Sequence, residues 1–475
     1  MKRFLRTALV GTLALGLAAP AFAKDHEISG FFRVRGIMAD LSLNKEAKPD
    51  KLMDQRFRAQ WRMALNEYVA VVYFGEVDFQ WGDASYSGNP GRNDGGAIGG
   101  DTVNLETKQL YADIKIPETP VAARLGLQGF ADNWDWTLFL ADMAGAKVTA
   151  ANLGGMADVT LGWFKLLEGE TNNNGAGGST LEDDVDLYAL QVALKPMDAL
   201  RTGVDFYWIN NNGVPANAAG VSFSSDNEDL YYVGLNASYK LAPVTLSGWF
   251  FYNFGTMNGA APDGGDMDIS AWATSVKADF SIAGAQAGIR GLYFSGDDDL
   301  TDSDMNNIRQ PFQGVAAEAL PFGRDGLMIL TADLMQMTYP GPRRQLAGFA
   351  MADGAWSEAG LWGFIANASY TPPALKNMYV KGAAGWFRVV EDEITRFNDE
   401  GEVETLKKEG KNIGTELAAR VGYKIANGAV DLSLNGAYAW LGDFYDNTAT
   451  NVKTDKTRVD PDNPYLVYAM LNIPF

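Results

Sequence analysis

The sequence predicts an all-β protein: a transmembrane antiparallel β-barrel of about eighteen strands, within a range of about sixteen to twenty. Three observations lead there. Segments of strand length alternate apolar and polar side chains at period 2 along the chain. The connections between them alternate between short and long, as tight turns at one barrel end and longer loops at the other would. The last thirteen residues, Asn463 to Phe475, read as a strand with Tyr465, Val467, Ala469, Leu471, Ile473 and Phe475 on one face. Soluble chain ends usually lie in water, so an apolar stripe running to the final residue suits lipid better than solvent. A buried edge strand of a soluble sandwich is the competing reading, and the rest of the chain weighs against it.

A first strand spans Glu27 to Asp40, followed by a polar loop near Asn44 to Asp50. The second strand has the clearest pattern: Arg56, Arg58, Gln60 and Arg62 on one face, Phe57, Ala59, Trp61 and Met63 on the other. Such bulk opposite three arginines places lipid outside and water inside. A turn at Asn66 and Glu67 leads to the third strand, where Val77, Phe79 and Trp81 alternate with Glu76, Asp78 and Gln80. The long Gly- and Asn-rich stretch from Gly82 to Gly100 is an external loop. Strands from Val103 to Ile116 and Val121 to Phe130 flank a tight turn at Pro117 to Pro120. Asn133 to Gly145 is the next external loop, though Trp134 to Leu140 is apolar enough to fold back onto the barrel. A short strand covers Lys147 to Leu153.

Further strands are expected at Met156–Glu168, Glu182–Lys195, Ala199–Asn211, Glu228–Leu241, Val244–Met257, Met267–Ile282 and Ala285–Asp297. The stretch 298–355 breaks the rhythm: an acidic opening (Asp297, Asp298, Asp299, Asp302, Asp304), then Arg309, Arg324, Arg343 and Arg344 around an apolar core at Leu327 to Leu330. Full exposure of that core would be costly. Part of Phe312 to Met337 is therefore expected to fold into the lumen as a constriction, with two additional strands as the alternative. The rhythm resumes with Trp356–Tyr370, Lys376–Val390, Lys411–Ile425, Ala429–Leu441 and the closing strand. An even strand number puts both chain ends on the periplasmic side, and a barrel of this size encloses an aqueous lumen.

The N-terminus carries a matching signal. Lys2, Arg3 and Arg6, an apolar run from Ala8 to Ala19, and Ala21-Phe22-Ala23 read as a secretory signal peptide over residues 1–23. The barrel then occupies 24–475. Removing those three bases takes the formal charge from −20 to −23. Such acidity argues against nucleic acid as a partner. The chain has no cysteine, which excludes disulfides and thiolate metal sites.

An enzyme reading lacks its usual base. The single histidine, His26, sits at the start of the mature chain, and neither G-x-S-x-G nor H-E-x-x-H occurs. It reads as a solvated side chain, so no catalytic residue, metal site or cofactor is assigned. The acidic cluster lacks the ligand spacing of a known calcium loop and reads as a solvated loop. The sharper constellation is basic. Strand parity points Arg33, Arg35, Arg56, Arg58, Arg62, Lys115 and Arg124 into the lumen. Closure would bring the strand bearing Arg420 and Lys424 near the first. Glu76, Asp78, Asp113 and Glu416 oppose them locally. An arginine-lined pore favours anions, because the fixed field replaces part of the ion's hydration. Equally, the charges could pair with one another and only keep the lumen wet.

With these features together, the chain resembles Gram-negative outer-membrane porins, whose barrels close on a terminal aromatic. The arginine-rich early strands, Arg124-Leu-Gly-Leu-Gln128 and Leu138-Phe-Leu-Ala-Asp142 are loosely similar to the alginate-export type of eighteen-stranded channel. That resemblance implies passive, non-enzymatic diffusion of small hydrophilic solutes across the cell outer membrane, in contact with lipid and lipopolysaccharide; the excess of basic over acidic lumen residues tilts the expectation toward anionic solutes. It leaves the protein either a homotrimer, as general porins often are, or a monomer. A barrel acting as scaffold or sheath for a separate periplasmic or secreted partner is the alternative function.

Overall fold

The computed structural model describes residues 25–41, 48–83, 96–100, 103–168, 184–212, 227–262, 264–309, 325–330, 358–398, 400–447, 449–450 and 458–475. The signal-peptide segment 1–23 and Arg324, Arg343 and Arg344 lie outside these residues. Eighteen long strands are described: β1 Asp25–Asp40, β2 Asp50–Ala64, β3 Val69–Gln80, β4 Glu106–Lys115, β5 Val121–Ala131 and β6 Leu140–Leu153. Next come β7 Ala157–Leu167, β8 Val185–Met197, β9 Leu200–Asn212, β10 Asn227–Leu241, β11 Val244–Met257 and β12 Met267–Ile282. The last six are β13 Ala285–Phe294, β14 Leu361–Tyr370, β15 Met378–Val389, β16 Asn412–Ile425, β17 Val430–Leu441 and β18 Tyr465–Pro474.

Each strand pairs antiparallel with its sequence neighbour, and β18 pairs with β1 from Phe31↔Pro474 to Asp40↔Tyr465. The sheet is thus a closed barrel with no free edge. Closure uses the last residue itself. Phe475 exchanges two backbone hydrogen bonds with Gly30 (2.8 and 3.0 Å) and stacks on Phe57 at 5.8 Å between ring centroids.

Period-2 alternation decides which face each residue takes. Phe57 and Trp61 on β2 are exposed on the outer wall, while Asp54 and Arg56 of the same strand are buried on the inner one. The same holds around the barrel, where Leu161, Leu235, Val276, Ile289, Phe364 and Leu434 stand outward and exposed. Towards the long-loop end, outward rings stack across strands: Tyr188–Trp208 at 4.8 Å, Trp208–Tyr231 at 6.1 Å and Tyr231–Phe254 at 5.1 Å. Trp163 and Trp208 donate their indole N–H to Asp186 and Asp229. An apolar belt edged by aromatic rings with polar tips matches a bilayer and its interface.

One expectation needs correction. Leu140 to Gly145 belongs to strand β6 and not to an external loop; its Ala and Gly residues hide the alternation, yet they pair in register with Ala131 to Gly126 of β5. The polar connection after β15 contains its own hairpin, Glu393–Phe397 with Val403–Lys407, held by the Lys407–Glu393 and Arg396–Glu404 pairs. His26 is exposed and accepts the Trp61 indole N–H at 3.1 Å. The acidic opening of the long connection caps its own backbone: Asp297 accepts N–H groups of Asp299 and Asn306, and Asp299 that of Thr301.

Candidate functional site in the barrel lumen

Two segments from the long connections turn inward. The first follows β5 and spans residues 132–139. Asp132 organises it by accepting the N–H groups of Trp134, Trp136, Leu138 and Phe139 at 2.7 to 3.0 Å, so one carboxylate satisfies four donors of a tight loop. This leaves Trp134, Leu138 and Phe139 free to bury completely against the inner wall. Trp134 stacks on Phe251 at 4.7 Å and meets Tyr207 edge-on at 5.1 Å; Phe139 meets Tyr207 at 5.0 Å. Those partners alternate with outward residues on β9 and β11, so the barrel carries an aromatic core inside its lumen. Asn133 donates to Asp205, which also receives Asn236.

The second segment, 325–330, belongs to the long connection between β13 and β14. Two carboxylates pin it. Its own Asp325 binds Arg290 (2.5 Å), Lys277 (3.0 Å) and Asn367 (3.2 Å) on the wall. Conversely, the wall's Glu416 accepts three consecutive N–H groups, from Met328 (2.5 Å), Ile329 (3.1 Å) and Leu330 (2.7 Å). Three donors converging on one carboxylate form an anion nest. Leu327 is buried over Gly385, whose missing Cβ leaves the space that its side chain occupies. Earlier in the same connection, Arg309 is seated by its own peptide: its N–H donates to Asn253, its carbonyl accepts the Tyr232 hydroxyl, and its guanidinium pairs with Glu228 at 2.6 Å.

Arg290 joins the two inserted segments. It is buried, and it binds Asp135 of the first at 2.6 Å and Asp325 of the second at 2.5 Å, with Ser275 at 2.9 Å. Trp249 donates to the same Asp135 oxygen. The lumen is thereby narrowed by two segments tied to each other through one guanidinium.

The arginines of the first strands have the inward parity that alternation assigns, but they are not a bare positive wall. Register sets Arg35 opposite Asp54, Arg56 opposite Asp78, Arg58 opposite Glu76 and Arg124 opposite Asp113. All four pairs are ion-paired, with Arg35–Asp54, Arg56–Asp78 and Arg124–Asp113 contacts at 2.8 to 2.9 Å. Glu416 likewise faces the inserted segment and not open water. The unneutralised bases lie elsewhere. Arg62, Lys115, Lys381, Arg420 and Lys424 share the inward parity, sit in the half of the barrel near the short turns, and make no ion pair among the described residues. Two strands, β17 and β18, separate Arg420 and Lys424 from β1.

Asp54, Lys277, Arg290, Asp325 and Lys381 were not among the sequence candidates. Asp54 shares its parity with Arg56 and Arg58, which was a readable signal. Arg290 and Lys381 stand alone in Gly- and Ala-rich strands, where a single charge carries little pattern.

This architecture, a closed eighteen-stranded barrel with an apolar outer belt, short turns at one end and a narrowed lumen, is the fold of solved outer-membrane proteins. Among solved structures the chain is similar to OccK8 (OprE) of Pseudomonas aeruginosa, with TM-score 0.53, 11% identity, and 96% of this chain covered against 99% of that one. It is similar to OpdK of the same organism, solved with vanillate, at TM-score 0.54, 11% identity and the same coverages. OccAB1 of Acinetobacter baumannii gives TM-score 0.52 and 13% identity, over 96% and 98% of the two chains. No protein-family model matches the chain, and neither does any curated protein.

Proposed function

We propose that this protein is a passive, non-enzymatic channel for small hydrophilic solutes, with a preference for anions set in the short-turn half of its lumen. The observation that carries the reading is the uneven neutralisation of lumen charge. Arg35, Arg56 and Arg58 each pair with a carboxylate, so their local field is weak at a distance. Nearer the short turns Lys115, Lys381 and Arg420 face no carboxylate across the register, and Arg62 and Lys424, opposite Glu27 and Asp431, make no ion pair among the described residues. A ring of such side chains lowers the energy of an anion in the pore and raises that of a cation. The similar fold of OpdK, solved with a small organic anion, supports the same reading.

The test is the reversal potential of the purified protein in a planar bilayer under a KCl gradient. A potential of the sign set by chloride is expected, and it should shift towards zero when Arg62, Lys115 and Lys424 are together replaced by glutamine. A cation-selective wild type would sink the anion preference. A folded barrel, shown by heat-modifiable gel mobility, that carries no current would favour the sheath for a partner.

A further inference from the structure

Among the described residues four pairs of bases lie directly opposite each other on neighbouring barrel strands; in Arg33–Arg56 and Arg124–Lys147, Arg56 and Arg124 each meet an aspartate, and two pairs remain. Lys277 of β12 faces Arg290 of β13, and Lys381 of β15 faces Arg420 of β16. Such pairs repel, so they persist where something compensates. At the first, the compensation is visible: Asp325 bridges both cations, with one oxygen 3.0 Å from Lys277 and the other 2.5 Å from Arg290. At the second, no carboxylate of the described residues makes an ion pair with either cation. Arg420 instead donates to two neutral acceptors, Asn435 and the Tyr468 hydroxyl, which orient the guanidinium without cancelling its charge. The nearby acid, Asp431, accepts the Tyr379 hydroxyl through both oxygens at 3.0 Å.

The space beside this pair is open. A cavity of about 440 Å³ and an adjoining one of about 630 Å³ share Lys381 and Arg420, together with Ser281, Gln286 and Ser369 as neutral hydrogen-bonding groups. Five bases and three acids line the two together, a formal surplus of two positive charges. Ser369 lies directly opposite Lys381 on β14, so a hydroxyl, an ammonium and a guanidinium form one row across three strands.

We infer that Lys381 and Arg420 form a binding subsite for a small doubly charged oxyanion, which bridges them as Asp325 bridges Lys277 and Arg290. The inference rests on the channel reading above and adds to it a saturable site of defined charge. Two adjacent cations hold a dianion better than a monoanion, since each supplies a charge-assisted contact to a different oxygen.

Inorganic phosphate is the probe. With the full-length protein in a planar bilayer in KCl at neutral pH, phosphate added on the short-turn side should reduce the chloride current and reach a plateau. Lys381→Gln and Arg420→Gln should each raise the half-blocking concentration about tenfold, the loss of one charge-assisted contact. Lys381→Arg should restore the block, and Lys407→Gln in the outer hairpin should leave it unchanged. Each variant is scored only after heat-modifiable mobility shows a folded barrel. Acetate at the same concentration should block far less. Equal block by acetate would overturn the dianion assignment, and so would block that never saturates or that survives both glutamine variants. An anion-selective reversal potential without phosphate block would reject this site while leaving the channel reading intact. A cation-selective potential would reject the channel's anion preference itself.

Discussion

Glu416→Ala is expected to raise the single-channel conductance, because the carboxylate is the acceptor for three consecutive N–H groups of the inserted segment. Its removal leaves three donors inside the barrel without their acceptor and costs about 3 kcal/mol or more of the segment's seat. That is roughly a hundredfold in the ratio of seated to released segment. The strand itself should tolerate the change, since the inner positions on either side are already the small residues Gly414 and Ala418. Gly385→Val tests the same idea from the opposite side. A side chain there meets Leu327 and Phe387, and Leu327 must shift, while the Glu416 carboxylate stays in the chain. Both variants should widen the path. If both fold and both conduct as the wild type does, residues 325–330 do not restrict flow.

The second large effect is on stability. Arg290→Met should lower the resistance of the barrel to urea by about 3 to 5 kcal/mol, the usual cost of breaking a buried ion pair from one side. The arginine serves two carboxylates, Asp135 and Asp325, on two segments that otherwise meet only the wall. Without it, Asp135 loses its guanidinium and keeps the Trp249 indole, while Asp325 keeps Lys277 and Asn367. Asp325→Asn in the same background should recover part of the loss, because it removes one of the stranded charges. A double-mutant cycle measures that coupling, expected at about 1 to 3 kcal/mol for groups in one network. An Arg290→Met barrel that unfolds at the wild-type urea concentration would show that the two segments are held by packing alone.

Much of the fold was legible because a barrel wall is a repeated local pattern. The closing strand shows it best. Tyr465, Val467, Leu471 and Ile473 share one parity, and in the structure that parity is the outer wall, continued by Phe475 on Phe57. The arginines of β2 were legible for the same reason: opposite faces of a strand differ at every step. The start of β6 was missed because Ala141 to Gly145 offers little contrast between faces.

The sequence alone determined the class of fold, a strand number of about eighteen within a range of sixteen to twenty, and the face on which each charge of the clearest strands lies. All three follow from period 2 and from turn lengths, which are properties of neighbouring residues. Whether an inward cation is neutral or available is not such a property. It depends on the residue across the register, as Asp54 is for Arg35, or on a segment arriving from far along the chain, as Asp325 does for Lys277 and Arg290. Parity says that Arg56 and Arg420 both face the lumen; only closure shows that Arg56 meets Asp78 while Arg420 meets an amide and a phenol. Coulomb energy falls with distance in space and not in sequence, so the charge that solutes meet was left to the tertiary structure to decide.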